Sequence, residues 1–237
     1  MRTARLLVPA LILALPAALQ AQDYANPTKP IVGYAGITAQ VAQPVGQFAD
    51  YVGTGWGLGA SFTLPFRNAP WLGLHAELGF VNYGHESRNV CINQTIGCRV
   101  TLDLNTDNNI IYGGVGPQLM VPAGPVRPYV NGALQFGYFG TMSSLSGSDN
   151  ADSFANTTNF HDTVLAWSGG AGTAIVLHSG KTPVSLDLGA TLHHNGMVRY
   201  LREGDITDNP DGSITLHPQQ SQANLVVYRI GVRIGVR

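Results

Sequence analysis

The chain has 237 residues, 44% of them hydrophobic and only 11% charged, with a formal net charge of −1. A soluble domain usually carries about 25% charged residues, so an ordinary charged exterior is excluded, and the near-neutral balance gives no basis for nucleic-acid binding. Glycine fills 29 positions and lysine only two, Lys29 and Lys181, so the polar part of the chain is built mainly from neutral residues.

The first stretch, "MRTARLLVPALILALPAALQAQ", begins with Arg2 and Arg5 and runs apolar from Leu6 to about Leu19. Small residues follow, with a cut expected after Ala21. Charged, apolar and small residues in that order read as a secretory signal peptide over residues 1–21. Pro9 and Pro16 interrupt the run, and it is shorter than the ~20 residues a spanning helix needs. Residues 22–237 then form one domain.

That domain reads as strands. The first covers about Ile31–Val41, blurred by glycine. In "WGLGASFTL", Trp56, Leu58, Ala60, Phe62 and Leu64 share one face. In "WLGLHAELGFVNY", Leu72, Leu74, Ala76, Leu78 and Phe80 oppose Gly73, His75, Glu77 and Gly79. A weaker strand spans about Ile110–Val121. Pro117 inside it cannot donate to a ladder, so a bulge is expected there. "PYVNGALQFGYF" alternates again, Thr163–Leu177 is weaker, and "VSLDLGATLHH" alternates cleanly. From Tyr228 onward, Tyr228, Ile230, Val232, Ile234 and Val236 oppose Arg229, Gly231, Arg233, Gly235 and Arg237. Period two over about ten residues is the signature of a strand with unlike faces.

The connections alternate in length. Long polar loops are expected over about 42–54, 84–109, 141–162 and 195–222. Short turns lie at "PFRNAP", "PAGP" and "HSGKTP", each marked by proline or glycine. Short turns at one end, long loops at the other and an even strand number describe an outer-membrane barrel. A closed barrel also satisfies all of its backbone hydrogen bonds in lipid. The expected fold is all-β: an eight-stranded antiparallel up-and-down transmembrane β-barrel with short periplasmic turns and long extracellular loops. Of the 14 acidic residues, only Asp23, Glu77 and Asp187 fall outside the expected long loops. Trp56, Trp71, Tyr138 and Tyr228 suit the aromatic girdles. The rival is a soluble lipocalin-like barrel with its apolar face inside. Its exterior would need charge, and the polar faces here are mostly Gly, Ser, Thr and Asn.

The signal peptide, the eight alternating strands, "QPVGQFADYVGTGWGLG" at Gln43–Gly59 and "YRIGVRIGVR" at the end together resemble a known group. It is the small outer-membrane β-barrel proteins of Gram-negative bacteria, the OmpA/OmpX-like family. The resemblance covers essentially the whole chain after residue 21. One departure is the final Arg237, where such chains usually finish on an aromatic residue read by the barrel-assembly machinery. No peptidoglycan-binding domain follows, so a wall-anchoring role is not implied. The resemblance implies residence in the bacterial outer membrane among lipid and lipopolysaccharide, insertion by the barrel-assembly machinery, a monomer, and no cofactor.

The candidate sites are few. Glu77, Asp187, Arg229 and Arg233 should face the lumen and form a network, with Glu77 meeting an arginine of the last strand. A lumenal plug of neutralised charges is the preferred reading over an ion path, since buried charges need partners and eight strands enclose little more than their own side chains. Cys91 and Cys98 read as a local disulfide in an exported chain. His193 and His194 point to opposite faces, so no metal site is expected. No Ser-His-acid set of the lipid A deacylase kind is visible beside them. Asp205, Asp208 and Asp211 lack the spacing of a calcium loop. Asn209–Gly212 reads instead as the turn of an external hairpin flanked by Ile206–Thr207 and Ser213–Leu216. The expected function is a structural or surface-interaction role without catalysis. The alternatives are a small-solute channel, a lipid A-modifying enzyme and a soluble periplasmic binder.

Overall fold

The computed structural model describes residues 31–91, 98, 101–147 and 152–237. The signal-peptide segment lies outside the described residues. Seven long strands come first: β1 (Gly33–Pro44), β2 (Gly55–Phe66), β3 (Ala69–Cys91), β4 (Thr101–Met120), β5 (Val126–Gly147), β6 (Ser153–His178) and β7 (Val184–Asn195). Four short ones follow: β8 (Met197–Tyr200), β9 (Ile206–Asp208), β10 (Ile214–Leu216) and β11 (Gln219–Gln222). The last is β12 (Leu225–Val236). The ring order is β1-β12-β7-β6-β5-β4-β3-β2, every pair antiparallel, and it is closed. The final strand closes it, pairing from Gly33↔Val236 to Pro44↔Leu225. Eight expected strands thus become an eight-stranded up-and-down barrel.

Side chains sort by face as the alternation requires, and the sorting decides between the two barrel types. Leu165 is 80% exposed, Leu134 76% and Ile37 71%, all on the outer wall. Gln118 is 0% exposed and Thr63 and His75 are 1%, all within. Oil outside and polar groups inside is the arrangement of a barrel solvated by acyl chains. A soluble ligand-binding barrel has the reverse.

Glycine sets what the lumen can hold. A Cβ on Gly79 would lie 2.1 Å from the Tyr112 ring, and one on Gly172 would lie 2.4 Å from the Tyr129 hydroxyl. These positions are bare so that Tyr112 and Tyr129, each the ladder partner of one of these glycines on the adjacent strand, can lie flat over the neighbouring backbone inside the lumen.

Two expectations are corrected. Pro117 causes no bulge. It pairs with Leu74 in the β3 ladder. Toward β5 the ladder drops Gly116 and Pro117 and resumes in the same register, Val115↔Leu134 before and Gln118↔Asn131 after. Gly116 and Gly132 lie backbone to backbone there, where a Cβ would come within 2.0 Å of the Gly132 carbonyl, and the two strands stay in register past the proline. Register shifts fall elsewhere, including Asn82/Gly84 and Thr141/Met142.

The segments 84–109 and 141–162 are also not mainly loops. β3 and β4 stay paired out to Cys91↔Thr101, and β5 and β6 out to Ser146↔Ser153. At about 3.3 Å per residue, the eight residues from Gly84 carry the wall roughly 25 Å past the point where β2 ends its pairing with β3. The four strands β3–β6 therefore stand up as an open sheet on one side of the mouth. Both of its faces meet water or polar loop, so Asn, Thr and Ser replace the apolar rows. The last long segment folds into two small sheets, β8–β11 and β9–β10. The second is the expected hairpin around Asn209–Gly212, with Gly212 at φ +82.

Candidate functional site

Three layers stack along the barrel axis. The lowest is polar. Glu77 on β3 lies 3.6 Å from the Arg229 guanidinium on β12 and 3.5 Å from His75 Nε2. Its other oxygen accepts hydrogen bonds from Gln135 and, at 3.2 Å, from the Ser168 hydroxyl. Asp187 on β7 accepts from the Tyr129 hydroxyl at 2.7 Å and lies 3.5 Å from Arg233. Tyr129 joins the two pairs, because Arg229 Nη2 donates to its hydroxyl at 3.3 Å and Arg233 lies 4.7 Å from its ring centroid. Arg229 also donates to Thr191 at 2.8 Å. All four candidate charges meet in one network. The alternation of β3, β7 and β12 aims them inward from three walls. Tyr129, His75 and Gln135 join it without a signal in the sequence, since a neutral residue on an inward face looks the same whether it fills space or bridges charges.

Charges held this way are costly to unpair, since each ion in a low-dielectric interior depends on its partner. The network spans the lumen from β3 through β5 to β7 and β12. Above it, His193 bonds Gln135 at 2.8 Å and stacks edge-on with Tyr112 at 4.6 Å, and Tyr112 donates to Gln40 at 2.8 Å. His194 lies on the outer wall against Trp167, 5.1 Å between centroids, so the two histidines part as their alternation requires. Among the described residues, Ser168 bonds Glu77 rather than a histidine, and no group of His, Cys, Asp or Glu is arranged to hold a metal.

The second layer is apolar, and the sequence does not announce it. The expected polar external loop over about 42–54 instead forms a 3-10 turn, Gly46–Asp50, that turns Phe48 into the barrel mouth until it is 0% exposed. Its ring makes edge-on contacts with Tyr200 at 4.9 Å, Tyr83 at 5.8 Å and Phe139 at 6.3 Å. Ala42, Val81, Ile110, Val164 and Val227 supply the wall around it. The last long segment packs on top through Val198 and Ala223. Backbone and side-chain bonds tie the pieces together: Val45 N–H to the Asn224 carbonyl at 3.0 Å, and the Tyr83 hydroxyl to the Leu201 carbonyl at 3.0 Å. Burial raises the pKa of the Tyr200 phenol, whose hydroxyl meets Ser221 at 2.8 Å. In the sequence Phe48 is legible only as one apolar residue in a polar loop.

The third layer is the extracellular sheet and the folded last segment. Cys91 and Cys98 form a disulfide at the tip of the β3–β4 hairpin, Cα to Cα 5.2 Å. The three late aspartates do not converge. Asp205 takes Arg202 at 3.2 Å, Asp208 faces Arg88 at 3.9 Å, and Asp211 caps its own turn through Ser213. Hydrogen bonds from the Ser213 side chain and amide hold the Asp211 carboxyl below its ordinary pKa.

The comparison with family models is decisive. The model described as "Outer membrane protein beta-barrel domain" matches residues 8–235. The chain belongs to this family. The outer-membrane β-barrel family places the chain in the bacterial outer membrane, with its oil-bearing wall in lipid. No curated protein sequence matches it. Solved structures with a similar trace include Neisserial surface protein A, 14% identical, covering 86% of this chain and 96% of that one with a TM-score of 0.44. Another is Ail, the attachment invasion locus protein of Yersinia pestis, 12% identical, covering 86% and 99% with a TM-score of 0.41. A third is a major outer membrane protein from Thermus thermophilus, 12% identical, covering 84% and 98% with a TM-score of 0.44.

Proposed function

We propose that this outer-membrane barrel is a closed, non-catalytic surface protein that acts through its extracellular sheet and folded last segment rather than through its lumen. One observation carries the reading: the axis is filled twice. The Glu77–Arg229 and Asp187–Arg233 pairs bridge the middle, and Phe48 stoppers the outer end. We read the charged layer as a plug that neutralises itself. Outside, β3–β6 extend well beyond the last residues of β1 and β7, which supports a working surface held clear of the lipid.

In this reading residues 1–21 direct export, the barrel-assembly machinery inserts the strands, and the barrel works as a monomer beside lipopolysaccharide. The test is conductance of the purified, heat-modifiable barrel in planar bilayers. A surface protein with a filled lumen gives no steps above the bare bilayer. Regular single-channel steps, with a reversal potential that shifts in Asp187→Asn, would replace this reading with transport.

A further inference from the structure

The extracellular layer holds two adjoining clefts that the barrel itself does not require. One, of about 240 Å³, lies between the inner face of the extended sheet and the last segment. The other, of about 270 Å³, lies between the first loop, the upper end of β3 and the same last segment. Arg202 and Glu203 line both, so the two form one groove with a waist. Each alone falls just below the roughly 300–1,000 Å³ range of small-molecule sites, and the two together reach into it.

From its lining we infer that this groove binds a neutral saccharide chain. The charges are the first argument. Arg88 is paired to Glu86 and faces Asp208 at 3.9 Å, and Arg202 is paired to Asp205 at 3.2 Å. A polyanion would have to compete with these carboxylates for both guanidinium groups. A polycation would meet the same two arginines. The lining carboxylates Glu86, Glu203 and Asp208 outnumber the two guanidinium groups and repel a polyanion, and the two arginines count against a polycation.

The uncharged groups are the second argument. Thr106 and Ser143 share a hydrogen bond at 2.8 Å, and Asn159 donates to Ser143 at 2.6 Å, which makes one cluster of hydroxyls and an amide on the sheet side. Thr157 stands exposed beside them. Such groups both donate and accept, which is what vicinal hydroxyls of a sugar require. Across the waist, Glu203 is exposed and has no hydrogen-bond or ion-pair partner among the described residues, so its carboxylate is free to accept from two neighbouring hydroxyls.

The third argument is the ring. Tyr51 lines the second cleft and is 42% exposed, with the Arg202 guanidinium 5.4 Å from its centroid. A ring held in place with part of its surface free is a stacking platform for the apolar face of a sugar. A protein patch would instead want the apolar centre and aromatic anchor pocket of a hot spot. The first cleft offers only Leu104, Ile206 and Ile214.

This inference rests on the surface reading above, and its test can fail separately. The full barrel in detergent, confirmed by its heat shift, is applied to an array of neutral, sialylated and sulfated oligosaccharides. Retained glycans are then titrated by calorimetry against wild type, Glu203→Gln and Thr157→Val. The inference expects retention of neutral glycans and, since a hydrogen bond to a charged group contributes about 1.5–3 kcal/mol, a loss of roughly 10- to 100-fold in Glu203→Gln. Thr157→Val, on the opposite wall, should lose less but measurably. An array with no retained glycan, retention confined to sulfated or sialylated glycans, or affinities unchanged in both variants would overturn it. A blank array from a non-conducting barrel refutes only the ligand class, whereas a conducting barrel refutes the surface reading itself.

Discussion

Replacing Phe48 with alanine removes the largest side chain that the first loop sends into the barrel mouth. The ring is fully buried and contacts Tyr83, Phe139 and Tyr200, all edge-on. A buried Phe→Ala change costs about 3–5 kcal/mol, including the cavity it leaves. The aromatic contacts fall within that figure. The loss lands on the docking of two loops, because the strands below keep their ladders and their charge network. Local opening of the last segment should therefore rise by roughly 100- to 4,000-fold while the barrel stays closed. Trypsin reads this directly, since Arg199 and Arg202 sit on that segment and are bonded to Asp162 and Asp205. In lipid vesicles, Phe48→Ala should be cut at these two sites far faster than wild type, and the heat-modifiable band should persist. Unchanged cleavage at both sites, in a folded variant, would refute the idea that Phe48 anchors the last segment.

Other perturbations test other layers. Arg229→Ala strands Glu77 in the lumen and should destabilise the barrel by about 3–5 kcal/mol, whereas Glu77→Gln with Arg229→Met should recover much of that loss; urea unfolding in lipid measures both. Leu134→Arg puts a charge on the lipid face and should cost about 2–4 kcal/mol if the site is near the midplane, a penalty absent in a soluble barrel. Reducing the Cys91–Cys98 disulfide should leave the heat shift intact, because the bond closes only seven residues of sequence at the hairpin tip. Asp187→Asn should weaken the grip on Tyr129 and Arg233 and lower stability without opening a conductance, since Phe48 still closes the mouth.

What the sequence discloses follows from where each segment sits. The membrane-spanning parts of β2, β3, β5, β7 and β12 are legible because lipid on one side and a crowded lumen on the other force strict alternation. The same alternation aims Glu77, Asp187, Arg229 and Arg233 at one another. The upper halves of β3–β6 resemble loops in sequence because water bathes them, so no face needs to be apolar, and runs such as "NTDNN" and "NTTN" look like turns. The expected bulge at Pro117 fails for a different reason. The ladder toward β5 skips two residues and resumes in register, with Gly116 lying against Gly132 on the next strand, a tertiary contact that local sequence does not announce. Phe48 and Tyr129 carry no local signal because each draws its role from partners far away in sequence.

The most direct test of the account is a spin-label walk from Tyr228 to Val236 in lipid. The only two cysteines are joined in a disulfide, so single-cysteine labels are clean. Positions 228, 230, 232, 234 and 236 should be open to oxygen dissolved in the bilayer and closed to a water-soluble nickel complex. Positions 229, 231 and 233 should be immobile and closed to both, as a filled lumen requires. Nickel access at the odd positions would mean a water-filled interior, and oxygen access there in place of the even ones would mean that the barrel is inside out.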